Sequence, residues 1–267
     1  MRDRAVTVVG NHRPLSVAHA VVRRDIDVGG TLLAGALGFR LFIWLLPCCL
    51  LVTAALGFTE SSSRPPDELA HDLGMSPLTT SMVGQLGAEA ERGRWLTALI
   101  GLVLLAWAGL TLARALDRVH DHVWTHRLDH TPKRALARAA RYNLALVLLV
   151  LANMAGPVVA AALGRPPAVV SLPSLALYAL FGLVLLSPEW PPHWRSAWPG
   201  AVLVALGAEG LHLVAVVYLP GKLARATEPY GALGVAAAVL VWLTLITRLV
   251  VFGQVLNAVL AERAYDR

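Results

Sequence analysis

Six polar side chains stand inside runs otherwise built from Leu, Val, Ala and Gly: Arg40, Glu209, His212, Arg248, Gln254 and Asn257. A charge at the centre of a membrane-spanning helix costs about 2.5–3.5 kcal/mol on insertion scales, so such positions usually serve binding, proton transfer or helix association. Glu209 and His212 are three residues apart, as are Gln254 and Asn257, and that spacing puts each pair on one helical face. Two arginines against one carboxylate leave one guanidinium over for a carboxylate or phosphate. The chemistry predicted is an interior polar cavity lined by Arg40, Arg248, Glu209 and His212, with Gln254 and Asn257 beside it. The rival reading is a network of ion pairs and hydrogen bonds that holds helices together. Asn153 is a further neutral polar group of this kind.

A second group lies between apolar runs, in the stretch 116–130, with four histidines and three aspartates. On a helix, His122, His126 and His130 share a face at spacings of four residues, which suits a divalent metal. The competing reading is a solvated helix next to the membrane. A two-metal nuclease motif H-x-H-x-D-H begins correctly at His120 and His122, but Trp124 and Thr125 stand where Asp and His are required. No GxGxxG, Walker A, HExxH or GxSxG pattern occurs, so neither a cofactor nor enzymatic chemistry is expected.

The elements that must position these residues follow from composition. The chain has 267 residues, 57% hydrophobic and 15% charged. Soluble domains carry about 25% charged residues, and the apolar surplus here must face something other than water. Six apolar runs reach the length of about 20 residues that a bilayer requires, at 28–58, 95–116, 142–163, 168–187, 197–218 and 230–260. They predict an all-α, polytopic membrane bundle of six helices and a single membrane domain over 1–267. Pro47 should bend the first helix. Of 23 basic residues, 14 fall in the segments 1–27, 117–141, 188–196 and 261–267, and 6 in the connections 59–94, 164–167 and 219–229. The positive-inside rule then puts both termini in the cytoplasm.

The segment 1–27 reads as a cytoplasmic amphipathic helix, with Leu15, Ala18, Val22 and Ile26 on one stripe beside Arg23 and Arg24. The 59–94 connection is the large outer loop, acidic and partly helical. Residues 117–141 form a basic, His-rich cytoplasmic loop. Gly29, Gly30, Gly35 and Gly38 read as small residues for close helix packing, and Trp95, Trp190, Trp194 and Trp198 as interfacial anchors. Adjacent Cys48 and Cys49 lack the spacing of a disulfide or metal pair. The net charge of +6 is dispersed between the apolar runs, which argues against nucleic acid as a partner. The partners expected are membrane lipids, an anionic or lipid-linked substrate, and further copies of the chain. Abundant Arg beside two Lys fits a GC-rich bacterial genome.

A set of short motifs runs along the chain in order. The first helix carries Gly35–Ala36–Leu37–Gly38–Phe39–Arg40 and then Pro47–Cys48–Cys49–Leu50. After the second come Ala115–Leu116–Asp117–Arg118 and Trp124. Trp198–Pro199–Gly200–Ala201 opens the fifth, and the sixth carries Tyr230–Gly231–Ala232–Leu233–Gly234 and Gly253–Gln254–Val255–Leu256–Asn257–Ala258. This ordered set resembles the YihY/BrkB family of bacterial inner-membrane proteins. Many members have Glu where Val255 stands, so a role resting on that carboxylate does not transfer. The resemblance implies six helices with cytoplasmic termini and, in function, transport or export of a small anionic or lipid-linked substrate. An older ribonuclease BN label for such proteins is opposed here by the failed nuclease motif. The expectations are therefore a transporter in the bacterial inner membrane, with a non-transporting envelope scaffold as the alternative and a metal-dependent nuclease as a third reading.

Overall fold

The computed structural model describes residues 13–59, 77–124, 128, 131–162, 171–187 and 194–265. Six helices occur among them: α1 (Arg13–Asp27), α2 (Gly30–Thr59), α3 (Pro77–Val123), α4 (Pro132–Ala162), α5 (Ser171–Leu186) and α6 (Trp194–Tyr265). No strand occurs among the described residues. With no water in a bilayer core, the backbone must satisfy its own polar groups, and a helix does so within one segment.

Among the described residues five stretches are long and apolar enough to cross a membrane: Gly30–Val52, Trp95–Val123, Pro132–Ala155, Ser196–Val214 and Leu233–Ala264. The run expected at 168–187 differs. Its helix, α5, has 16 residues and is about 24 Å long, against a hydrocarbon core of about 30 Å. It is a shorter apolar helix, and residues 163–170 lie outside the description.

The last two spans belong to one element of 72 residues. A straight helix would separate Gly200 from Asn257 by about 85 Å, yet their backbone and side chain are hydrogen-bonded at 2.7 Å. The chain therefore reverses between the two spans, and they pack antiparallel. α2 lies against α3 and against α6, α5 against α6, α4 against α3, and α1 against the closing part of α6.

α1 turns into α2 through Gly29, whose φ of 66° is the left-handed conformation in which a helix commonly ends. The Val28 and Gly29 amides donate to Arg24 and Ile26 carbonyls, and Leu32 and Leu33 donate back to Gly29. Val21 and Asp25 of α1 face the bundle, while Ala18, Val22 and Ile26 face outward. The predicted apolar stripe is thus on the protein's outer side, where an interfacial helix meets acyl chains.

The core is apolar and continuous, from Leu37, Trp44 and Cys48 of α2, through Leu112 and Leu116 of α3 and Tyr142 of α4, to Phe181 of α5 and Val251 and Val255 of α6. Outside it runs a belt of exposed Leu, Val and Trp that includes Leu99, Leu102, Trp107, Leu144, Leu148 and Leu206. Trp95 and Trp198 are exposed near the ends of their spans, as anchors should be. Cys48 is buried, Cys49 is exposed, and both are free thiols.

Residues 117–141, expected as a cytoplasmic loop, are largely helix: α3 continues to Val123 and α4 begins at Pro132. Several of the charges that suggested a loop lie on the exposed side of these helices, and two others are paired inside. Asp117 and Arg138 are buried and bonded to one another across the two helix ends. In the 59–94 connection, helix is present from Pro77 onward. Its described length makes α3 about 70 Å long, more than twice a bilayer core.

An apolar cavity and the polar ties around it

The interior contains a cavity of about 470 Å³ between α2, α3, α4, α5 and α6. Leu37, Leu41 and Trp44 line one wall, Leu112 and Leu116 a second, Leu146 and Leu149 a third, with Tyr178 and Phe181 from α5 and Ile246 and Thr247 from α6. The heptad-like spacing of 37, 41 and 44 on α2 presents one helical face to this space. Its few polar groups already have partners. Tyr178 Oη donates to Asn153 Oδ1 at 2.8 Å, Trp44 Nε1 donates to Asn143 Oδ1 at 2.7 Å, and Thr247 Oγ1 donates to the Ala34 carbonyl at 2.8 Å. The walls therefore offer an occupant dispersion contacts and hydrophobic burial rather than open hydrogen-bond donors.

The charged residues expected to line a polar cavity are placed outside this one. None of Arg40, Arg248, Glu209 and His212 lines this space. Arg248 instead forms a bidentate pair with Asp25 of α1, Nη1 to Oδ1 at 2.7 Å and Nη2 to Oδ2 at 2.5 Å. Its guanidinium also lies 5.8 Å from the Phe252 ring centre. The excess cation of the sequence tally is neutralised by a carboxylate 223 residues earlier. Gly30 makes room for the pair: a Cβ there would collide with the Asp25 carboxylate and approach Arg248 Nη1 at 2.8 Å.

Glu209 is half-buried and accepts from Ser174 Oγ at 2.9 Å, which ties α6 to α5. His212, on the same helix, is exposed. Arg40 is half-buried and makes no hydrogen bond or ion pair with a described residue. Helical geometry puts it about 60° round the α2 axis from Leu37, on the flank of the cavity-facing side.

Gln254 and Asn257 are buried, and each amide has a partner at both its oxygen and its nitrogen. Trp124 Nε1 donates to Gln254 Oε1 at 2.8 Å, and Gln254 Nε2 lies 3.5 Å from the Leu185 carbonyl. Asn257 accepts from the Gly200 amide at 2.7 Å and donates to the Ala197 carbonyl at 3.2 Å. Asn257 thus occupies the seam where Gly200 and Gly253 let the two spans of α6 touch backbone to backbone.

Several residues with structural consequence have weak sequence signals. Asp117 and Arg138 form a buried pair with Nη2 to Oδ2 at 2.9 Å and Nε at 3.1 and 3.2 Å from the two oxygens. Arg24 donates to the Val123 carbonyl at 2.8 Å and meets Glu262 at 3.1 Å. Asp25 is hidden by its place in an amphipathic helix, where a carboxylate normally reads as solvent-facing.

Of the three metal-spacing histidines, His122 is exposed and its Nδ1 is 2.8 Å from the Arg118 carbonyl oxygen. His126 and His130 lie outside the described residues. Among the described residues no three His, Cys, Asp or Glu side chains gather into a metal-sized group. His120 stacks on Trp124, ring centres 5.3 Å apart.

Apolar spans packed around an apolar cavity, with polar side chains tied to one another inside, define a multi-pass α-helical membrane protein. Its family follows from comparison: the chain matches the family described as Virulence factor BrkB over residues 21–267, and it belongs to that family. It is similar to a UPF0761 membrane protein of Verminephrobacter eiseniae (strain EF01-2), 30% identical over 212 residues, which cover 74% of this chain and 48% of the relative. The chain spans about half the length of that relative. No solved structure matches. The chain is a multi-pass bacterial membrane protein of the BrkB family.

Proposed function

We propose that this protein moves an anionic, lipid-linked substrate across the bacterial inner membrane without covalent chemistry, with both termini on the cytoplasmic side. The observation that carries the reading is the apolar cavity of about 470 Å³, a volume within the usual range for ligand pockets. An inorganic anion would find no open donors there, whereas an acyl or isoprenoid chain would exchange lipid contacts for Leu37, Leu41, Leu112 and Leu149. The anionic head is assigned to Arg40, which flanks the cavity-facing side of α2. Glu209 and His212 supply charge balance or proton coupling in this scheme, and nucleic acid has no part in it.

The test is movement of a fluorescent, phosphate-headed single-chain amphiphile in proteoliposomes. Leu149→Trp, which fills the cavity, and Arg40→Gln, which removes the head contact, should each slow movement at least about tenfold, a loss of about 1.4 kcal/mol in binding or barrier. Unchanged movement in both variants, with melting temperatures also unchanged, sinks the proposal. The scaffold reading draws on a separate observation, the closed bonding of Arg248, Gln254 and Asn257. It is favoured if the amphiphile neither binds nor moves while a stoichiometric envelope protein copurifies.

A further inference from the structure

At the end of the bundle where α1 crosses the last turns of α6, a cavity of about 260 Å³ opens between the two helices. Arg23, Arg24 and Asp27 from α1 and Glu262 and Arg263 from α6 line it. Two of the three guanidinium groups are fixed in place. Arg24 is held by the Val123 carbonyl and by Glu262. Arg263 donates to Ser16 Oγ at 3.1 Å and to the Ser16 carbonyl at 2.8 Å. The second contact pins it without neutralising it.

The charge count within the cavity is then simple. Arg24 and Glu262 cancel, and Arg23 and Arg263 face the single carboxylate of Asp27. One positive charge remains, presented by two guanidinium groups suited to forked contacts with phosphate oxygens. Arg23 is exposed and forms no ion pair with a described residue. Its neighbours on the outer face of α1 are Val22 and Ile26, 50% and 71% exposed. A positive cleft beside an outward apolar stripe matches an amphiphile whose charged head enters the cleft and whose chain runs along the stripe.

We propose that this cleft binds the phosphodiester of an anionic phospholipid, with Arg23 and Arg263 as its contacts. The site is independent of the interior cavity and of any transport through it. It gives α1 a lipid-dependent anchor, since the same helix carries Asp25, the partner of Arg248.

The test uses the full chain, stripped of lipid in a neutral detergent, titrated with short-chain phosphatidylglycerol, short-chain phosphatidylcholine or inorganic phosphate. Phosphatidylglycerol should raise the melting temperature and phosphatidylcholine should not. Arg23→Gln, which loses no internal partner, should weaken phosphatidylglycerol binding about fivefold, the effect of about 1 kcal/mol for one basic residue near an anionic surface. Arg263→Gln should weaken it as well. Inorganic phosphate that protects equally and competes supports the phosphate site and assigns it to a soluble ligand. Phosphatidylglycerol binding that is absent, or unchanged in Arg23→Gln, overturns the proposal. Transport assays on the interior cavity variants read none of these outcomes.

Discussion

The seam between the two spans of α6 makes a sharp prediction for Gly200→Ala. A Cβ at Gly200 would lie 2.5 Å from the Gly253 carbonyl oxygen and 2.6 Å from Asn257 Nδ2. Ordinary contact begins at 3.4 Å, so the helices must part by about 0.9 Å before dispersion is favourable again. The same movement stretches the bond from the Gly200 amide to Asn257 Oδ1 from 2.7 Å to about 3.6 Å, beyond hydrogen-bonding range. Overpacking costs about 1–3 kcal/mol, and an interhelical hydrogen bond in a membrane bundle contributes about 0.6–1.7 kcal/mol. The expected loss is therefore about 2–4 kcal/mol in equilibrium unfolding, followed by circular dichroism as SDS is titrated into mixed micelles. Two internal controls are available, since a Cβ at Gly35 or Gly210 meets nothing within 4 Å. Those substitutions should leave stability unchanged or raised. Gly253→Ala, whose nearest atoms are at 3.1–3.3 Å, should fall between. If Gly200→Ala loses no more than Gly35→Ala, the seam does not carry the packing assigned to it.

Asp117→Asn removes the counter-charge of the buried Arg138 guanidinium and should destabilise by about 3–5 kcal/mol, read as a lowered melting temperature. Glu262→Gln, which breaks the partly exposed pair with Arg24, should lose at most about 1 kcal/mol. Arg248→Ala should loosen α1, which keeps its ties through Arg24 and Ser16, detected as at least about tenfold faster thiol labelling of a cysteine placed at buried Val21. Equal labelling rates would show that the Asp25 pair does not hold the helix. Trp124→Phe leaves Gln254, 2% exposed, without its indole donor and should cost about 1–3 kcal/mol in the same SDS titration.

The polar positions in the apolar runs were readable because composition makes them exceptional, yet their partners were not. Arg248 stood out in the sequence, but Asp25 lies in a helix whose stripe of Ala18, Val22 and Ile26 reads as a membrane-surface face and does not tell which side meets the bundle. The offset of about 80° between that stripe and the buried Val21–Asp25 face is decided by what α1 packs on. Glu209 and His212 share a helix at the predicted spacing, yet one is half-buried against Ser174 and the other is exposed. Three residues of helix advance about 300°, so the pair straddles the boundary between interior and surface. The glycines divide in the same way. Gly38 packs against Thr244, with a Cβ placed 2.9 Å from its hydroxyl and 3.0 Å from its Cα, whereas Gly35 faces open space. Both sit in one short motif, and only the neighbouring helix distinguishes them.

From sequence alone came the solvent and the secondary structure: an apolar surplus that water would not tolerate, runs near the thickness of a bilayer, and helices to close the backbone's hydrogen bonds within each run. These are local or compositional properties, and they need no knowledge of neighbours. The tertiary structure decided which polar groups meet. It set Asp25 on Arg248, Asp117 on Arg138 and Asn257 on the Gly200 backbone, and left the interior cavity to leucines. Ion pairs and close-packed seams depend on helix rotation and on contacts across as many as 247 residues of chain, as between Ser16 and Arg263. Hydropathy, which averages over a helix, carries no record of that rotation.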